Sequence, residues 1–204
     1  MTTVLLVHTV PLWRASLASL LTATPGMVVR TAEIGAIRAA LGAPRPDGPD
    51  VLLTDLDCPG APEVLDEVKA VPPAPHGPCP LAVLTRSDQP RGLRRAYEAG
   101  ALGYIDKYRP VDDLSEVIHK LADGGRHIDE SLAFSLLQVA DMPLSPRELS
   151  VLSLAEEGDS VAGIASRLHL TPGTVRNYLA AAIRKSGARN RLDAIRRAKE
   201  AGWI

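Results

Sequence analysis

Cysteine is scarce in this chain: Cys58 and Cys79 are the only two in 204 residues. Two thiols make no disulfide framework, and these two lack metal-ligand spacing, so free thiols in a reducing compartment are expected. Aromatic residues are scarce too, at 3%, with one Phe. The 46% apolar share is therefore mostly Ala, Leu and Val, and the cores are expected to be aliphatic. No apolar run approaches the roughly 18 residues needed to span a bilayer. No basic segment precedes Thr3-Val-Leu-Leu-Val7 to make it a secretory signal. A membrane role is thereby disfavoured, and a cytoplasmic location is expected. No internal repeat is visible.

Net charge is near zero, −1, but it is unevenly distributed. Met1–Met142 holds 13 Lys+Arg against 18 Asp+Glu, a net of −5. Pro143–Ile204 holds 10 against 6, a net of +4. A basic C-terminal module behind an acidic N-terminal one suits a polyanion-binding effector with a separate control domain.

The C-terminal module is built from capped helices. In Leu144-Ser-Pro-Arg-Glu148, Ser145 is placed to cap a helix with Pro146 at its first position. Leu149, Leu152 and Ala155 give that helix an apolar stripe, and Gly158 ends it. Ser160 caps a second helix burying Ile164, Ala165 and Leu168, and Thr171 caps a third. In the third, Val175, Leu179, Ala182 and Ile183 face inward at helical spacing. The opposite face carries Gly173, Arg176, Asn177, Ala180 and Arg184: small or basic, with an amide and no carboxylate. Such a face fits a B-DNA major groove, where Arg reads guanine and Asn reads adenine. An ordinary three-helix bundle with a solvated basic face would show the same periodicity.

The residues themselves narrow that choice. Leu144-Ser-Pro-Arg-Glu148 with Leu170-Thr-Pro-Gly-Thr-Val-Arg-Asn-Tyr-Leu179 resembles the DNA-binding domain of LuxR-type (NarL/FixJ) regulators. The resemblance implies that Arg176, Asn177 and Ala180 sit at base-contacting positions, and that Thr174, Arg184 and Lys185 contact phosphates. Ala180 offers no side-chain hydrogen bond, so one base contact is missing or apolar. The segment Asn190–Ala201 resembles the family's fourth helix, which often pairs with its twofold mate.

The N-terminal part alternates strands and helices. Strands are expected at 3–7, 27–32, 51–55, 81–85 and 103–106, with helices at 11–21, 34–41, 63–71, 92–99 and 111–122. The first helix should bury Leu12, Leu17 and Leu20 or Leu21. Segments 42–49 and 72–80 are Pro-rich loops. Five such units imply a doubly wound, five-stranded parallel sheet. Functional groups then gather at the strand carboxyl ends, which carry His8-Thr9, Asp55, Thr85 and Lys107.

Asp50-Val-Leu-Leu-Thr-Asp55-Leu-Asp-Cys-Pro-Gly60, Val83-Leu-Thr85 and Gly100-Ala-Leu-Gly-Tyr104-Ile-Asp-Lys107 resemble a response-regulator receiver domain. By that resemblance Asp55 is the phosphoacceptor position, Thr85 the switch hydroxyl, Tyr104 the switch aromatic and Lys107 the phosphate-binding lysine. Pro59-Gly60 shapes the loop after the acceptor. One departure stands out. The family's Mg²⁺-holding acidic pair at the end of the first strand is replaced by His8 and Thr9. Weak or absent Mg²⁺ binding is therefore expected, with no other cofactor. Asp57 can lean into the pocket in partial compensation, although a solvated loop carboxylate is the simpler reading. His8 can donate to Asp55, its cationic form replacing part of the metal's charge.

The chain thus reads as a receiver over 1–123, a linker with a helix over 124–143, and an all-α helix-turn-helix domain over 144–204. The function expected is a DNA-binding transcription regulator, not an enzyme, acting on double-stranded DNA as a homodimer and controlled without Mg²⁺-dependent phosphorylation. Conventional phospho-activation at Asp55 and small-ligand sensing are alternatives, as is a module that sequesters a partner protein. The sequence names no partner histidine kinase.

Overall fold

Strand β1 (Thr2–Val7) is an interior strand of a parallel sheet and is buried along nearly its whole length. It pairs with β2 (Met27–Ala32) on one side and β3 (Val51–Asp55) on the other. Then follow β4 (Leu81–Thr85), β5 (Gly103–Asp106) and a two-residue β6 (His127–Ile128). The order is β2-β1-β3-β4-β5-β6. This is a computed structural model, and it describes residues 1–43, 47–72, 77–86, 90–108, 114–140, 142–201 and 203–204. Two compact units result, Met1–Leu137 and Gln138–Ile204.

The helices of the first unit follow the strands: α1 (Pro11–Thr22), α2 (Ile37–Leu41), α3 (Ala61–Ala70), α4 (Pro90–Glu98) and α5 (Leu114–Ala122). A 3₁₀ turn at Ile34–Ala36 precedes α2. The expected helix start at 111 lies outside the described residues. Continuous apolar strands are what a sheet covered on both faces requires. One core joins Leu6 and Leu53 of the sheet to Leu21 of α1 and to Val117 and Ile118 of α5. Each such side chain, fully buried, contributes about 1.5–3 kcal/mol relative to exposure.

Two expectations need correction. The sheet has six strands, not five. Its last strand comes from Gly124–Asp129, which the sequence suggested was linker, and β6 pairs with β5 through Gly103 and Tyr104. Helix α1 also turns differently. Leu17 and Leu21, four apart, meet the sheet, whereas Leu12 is 71% exposed and Leu20 is exposed as well. Leu12 precedes Leu17 by five residues, which at about 100° per residue puts it well off the buried face.

Helix α6 (Glu130–Ala140) follows β6 and buries Leu132, Leu136 and Val139. The second unit then holds α7 (Pro146–Glu156), α8 (Val161–Arg167), α9 (Pro172–Lys185) and α10 (Arg191–Glu200). The caps are as the residues suggested. Ser145 and Glu148 form a reciprocal capping box, and Ser160 and Thr171 accept from Gly163 N–H and Thr174 N–H. Asn190 caps α10 by accepting from Asp193 N–H. Gly158 takes a φ of 92° at the end of α7, a conformation glycine adopts without steric cost. Val151, Leu152, Ile164, Val175 and Ala182 form the small core.

Candidate functional site

Parallel pairing puts the strand ends of the first unit at one edge. Val7 aligns with Thr54, Asp55 with Leu84, and Thr85 with Asp106. The side chain that follows each strand therefore emerges at the same rim. There Lys107 Nζ donates to Asp55 Oδ1 at 2.7 Å. The same ammonium pairs with Asp57. Burial alone would push the Lys107 ammonium down, but its bonds to Asp55 and Asp57 outweigh burial and hold it above its ordinary value.

Asp57 is thus no solvated loop carboxylate. Its N–H donates to Asp55 Oδ1 at 2.8 Å, which turns the loop back, and Arg86 Nε lies 3.2 Å from Asp57 Oδ2. His8 is 3% exposed. Its Nδ1 accepts the Val10 N–H at 3.0 Å, which leaves the ring proton on Nε2. Nε2 lies 3.7 Å from Asp55 Oδ2, in electrostatic contact but beyond a good hydrogen bond. The Nε2 edge of His8 therefore faces Asp55 from the end of β1.

Thr9 faces elsewhere. Its hydroxyl donates to the Pro59 carbonyl and lies 3.2 Å from Cys58 Sγ. Thr85 is fully buried, with its hydroxyl 3.3 Å from the Arg86 carbonyl. Tyr104 is also buried, and its hydroxyl has no hydrogen-bond partner among the described residues. Burial pushes its phenol well above the ordinary range. The rim thus gathers His8, Asp55, Asp57 and Lys107, while the Thr9 and Thr85 hydroxyls bond to backbone carbonyls and Tyr104 lies buried.

Sequence reasoning missed a second polar group beside this rim. Asp106 N–H donates to Asp129 Oδ2 at 2.7 Å, Ser131 donates to Asp106 Oδ2 at 2.5 Å, and His127 Nε2 lies 3.0 Å from Asp129 Oδ1. These bonds tie the start of α6 to the end of β5. No local motif announces the two that reach Asp106, because their partners are 23 and 25 residues apart along the chain.

In the second unit, α9 buries Val175, Leu179 and Ala182. Gly173, Arg176, Asn177, Ala180 and Arg184 are all exposed, as the periodicity requires. Thr174 is half-buried, and its hydroxyl lies 2.9 Å from that of Thr171. Lys185 has an unforeseen partner: its Nζ donates to Glu148 at 2.9 Å. Glu148 is the buried carboxylate of the capping box. Burial alone would raise its pKa, but bonds from the Ser145 N–H and Lys185 outweigh that and lower it.

Lys185 therefore ties α9 to α7. Lys185→Ala should cost the Gln138–Ile204 unit about 1 kcal/mol, toward the low end for a lost charge-assisted bond because the ammonium is half in water. Urea unfolding of the wild type and variant checks this. Glu148 sets the sign of the pH dependence. Its folded pKa is depressed, so its contribution is present above the ordinary Glu value of about 4.3 and is lost as pH falls below it. The difference between wild type and Lys185→Ala should accordingly shrink in acid. An equal difference at acid and neutral pH would remove the pair from the stability of this unit.

Comparison with known proteins agrees with both units. The family model of bacterial regulatory proteins, luxR family, matches residues 142–198. The chain is 43% identical over 203 residues to response regulator RamR of Streptomyces coelicolor, covering 100% of this chain and 98% of that protein. It is 30% identical over 203 residues to transcriptional regulatory protein UhpA of Escherichia coli, covering 100% of each. Among solved structures, response regulator ChrA of a heme-sensing two-component system aligns with a TM-score of 0.51 and 28% identity over 99% of this chain and 98% of that one. RcsB from Salmonella enterica serovar Typhimurium, bound to a promoter, aligns at 0.59 over 100% and 99%, and at 23% identity shows the fold alone. Among the described residues no helix is long and apolar enough to cross a membrane. The chain belongs to the response regulators with a LuxR-type DNA-binding domain, a family of DNA-binding regulators of transcription rather than enzymes.

Proposed function

We propose that this response regulator binds double-stranded DNA through α9 as a homodimer, and that its receiver is set without Mg²⁺-dependent phosphorylation of Asp55. The observation that carries the second part is the Lys107 ammonium, bonded at once to Asp55 and Asp57, with a His8 N–H edge on the other side of Asp55. Mg²⁺ takes oxygen ligands in a strict octahedron and leans on carboxylates and phosphate. Here the residue at the end of β1 offers an N–H, and the Thr9 hydroxyl is spent on Pro59. Among the described residues no group of three or more His, Cys, Asp or Glu side chains is arranged to hold a metal. This donor set does not fit Mg²⁺.

The DNA side rests on Arg176 and Asn177, which are exposed on α9. A single helix-turn-helix makes few contacts, and twofold dimers read paired half-sites about one turn apart. Leu192, exposed on α10, suits a contact with a twofold mate, and one RcsB structure contains two dimers bound to two DNAs. Conventional activation is the second reading, favoured by the presence of Asp55, Thr85 and Lys107 at the strand ends.

The test is incubation with acetyl phosphate or beryllofluoride and Mg²⁺, followed by intact mass and DNA-binding anisotropy. Asp55 should stay unmodified, and DNA affinity should be unchanged both by the donors and by Asp55→Asn. Stoichiometric Mg²⁺-dependent modification that raises DNA affinity would establish the conventional reading instead.

A further inference from the structure

Beside the Asp55 rim, the Met1–Leu137 unit contains a cavity of about 610 Å³. That volume lies within the roughly 300–1,000 Å³ of small-molecule sites. One wall is Trp13, Leu17 and Leu20 of α1, and the facing wall is Leu114 and Val117 of α5. Trp13 is 59% exposed at the mouth. A large aromatic and Leu20 left open to water beside a concavity are the usual mark of a ligand site.

The polar end of the cavity has a definite sign. Asp55, Asp57, Asp106 and Asp129 line it, against the Lys107 ammonium in the lining and the Arg86 guanidinium that reaches Asp57 from outside it. Lys107 is already shared between Asp55 and Asp57. The imidazole of His8 is committed at Nδ1 to Val10, and His127 to Asp129. An anionic ligand would find no uncommitted cation among these groups and would meet four carboxylates. The Asp106 oxygens already accept from the Tyr108 N–H and Ser131, but a carboxylate oxygen accepts more than one bond, so a ligand amine would find acceptors beside walls that take an apolar body.

We infer that the α1–α5 cavity of the receiver is a binding site for an amphipathic amine: a mostly apolar, drug-sized molecule with a cationic end directed at Asp55, Asp57, Asp106 and Asp129. This deepens the reading above and rests on it, since a metal and a phosphoryl group at Asp55 would occupy the same polar end. The site also offers a route for a signal. Asp106 and Asp129 hold Ser131 and the start of α6, the helix that leads out of this unit. An amine bridging these carboxylates loads the bonds that fix that helix.

The probe is 4-phenylbutylamine, with 4-phenylbutanol and 4-phenylbutyrate as neutral and anionic counterparts, titrated into the full chain while tryptophan emission is followed. The amine should bind saturably and the carboxylate at least tenfold more weakly. Trp13→Phe should remove most of the signal, locating it in the cavity. Ser16→Phe fills the mouth from an exposed position on α1, and should weaken amine binding at least tenfold with an unchanged thermal midpoint. Saturating amine should also change DNA affinity in anisotropy. The inference is overturned if no probe binds, if the carboxylate binds as well as the amine, or if Ser16→Phe binds the amine unchanged. Amine binding that leaves DNA affinity unchanged would overturn the signalling route. A parallel arm with acetyl phosphate and Mg²⁺ separates the two readings. If that arm raises DNA affinity, the non-phosphorylated reading falls and this inference with it. If it has no effect and the amine does not bind, the cavity inference alone falls.

Discussion

Arg176→Ala should weaken binding to a cognate site by about 1–3 kcal/mol, roughly five- to 150-fold, and relax the preference at one base pair. Arg176 is exposed on the face of α9 opposite Val175 and Leu179, with no side-chain bond among the described residues. Its five donors are thus free to meet the paired acceptors of a guanine edge. Truncation costs the folded protein nothing, so the loss should appear in DNA binding alone. Arg184→Ala is the contrast: a phosphate contact should be lost on every sequence alike, and the salt dependence should flatten. Lys185 is a poorer phosphate probe, because its substitution also strips a partner from buried Glu148. Anisotropy titrations at several salt concentrations, on DNA selected from a random pool and on a scrambled control, separate these cases. If Arg176→Ala binds selected and scrambled DNA as the wild type does, α9 does not read bases in this way.

The second unit was legible in the sequence because its signals are local. Ser145, Ser160 and Thr171 each announce a helix start within three residues, and the period of Val175, Leu179 and Ala182 fixes which side of α9 is left to water. The five main strands were legible as unbroken apolar runs, and their parallel order brought Asp55 and Lys107 to one rim. What stayed hidden depends on partners distant in sequence. Two residues, His127 and Ile128, carry no strand pattern, and they extend the sheet only because β5 offers an open edge. The Lys185–Glu148 pair joins residues 37 apart. The phase of α1 was ambiguous, since Leu12, Trp13, Leu17, Leu20 and Leu21 put apolar groups around much of the helix. Only packing decides that Leu21 goes inward while Trp13 stands at the mouth of a cavity. His8 was legible as a departure, but its tautomer depends on the Val10 N–H two residues on.

The double substitution His8→Asp with Thr9→Asp should give this receiver a Mg²⁺ site and make Asp55 phosphorylatable. The wild-type rim sets Lys107 and Arg86 against Asp55 and Asp57. Two further carboxylates would make the rim strongly anionic. Unit charges about 4 Å apart interact by roughly 4 kcal/mol at an effective dielectric near 20, so the metal-free variant should be destabilised and its affinity for a dication raised by orders of magnitude. An Asp at position 8 can still accept the Val10 N–H with one oxygen while the other faces Asp55. The readout is linkage. A ligand at 100 times its Kd stabilises the folded state by about 2.7 kcal/mol, whereas one present at its Kd adds only about 0.4 kcal/mol. Millimolar Mg²⁺ should therefore raise the thermal midpoint of the variant by several degrees and leave the wild type nearly unmoved. Ca²⁺, larger and tolerant of irregular coordination, should stabilise the variant without supporting transfer from acetyl phosphate. With Mg²⁺ and acetyl phosphate, intact mass should show one phosphoryl group on the variant, lost in the triple variant that adds Asp55→Asn, and none on the wild type. Equal Mg²⁺ stabilisation of both proteins, or a wild type phosphorylated as readily as the variant, would mean that His8 and Thr9 are not what withholds the metal.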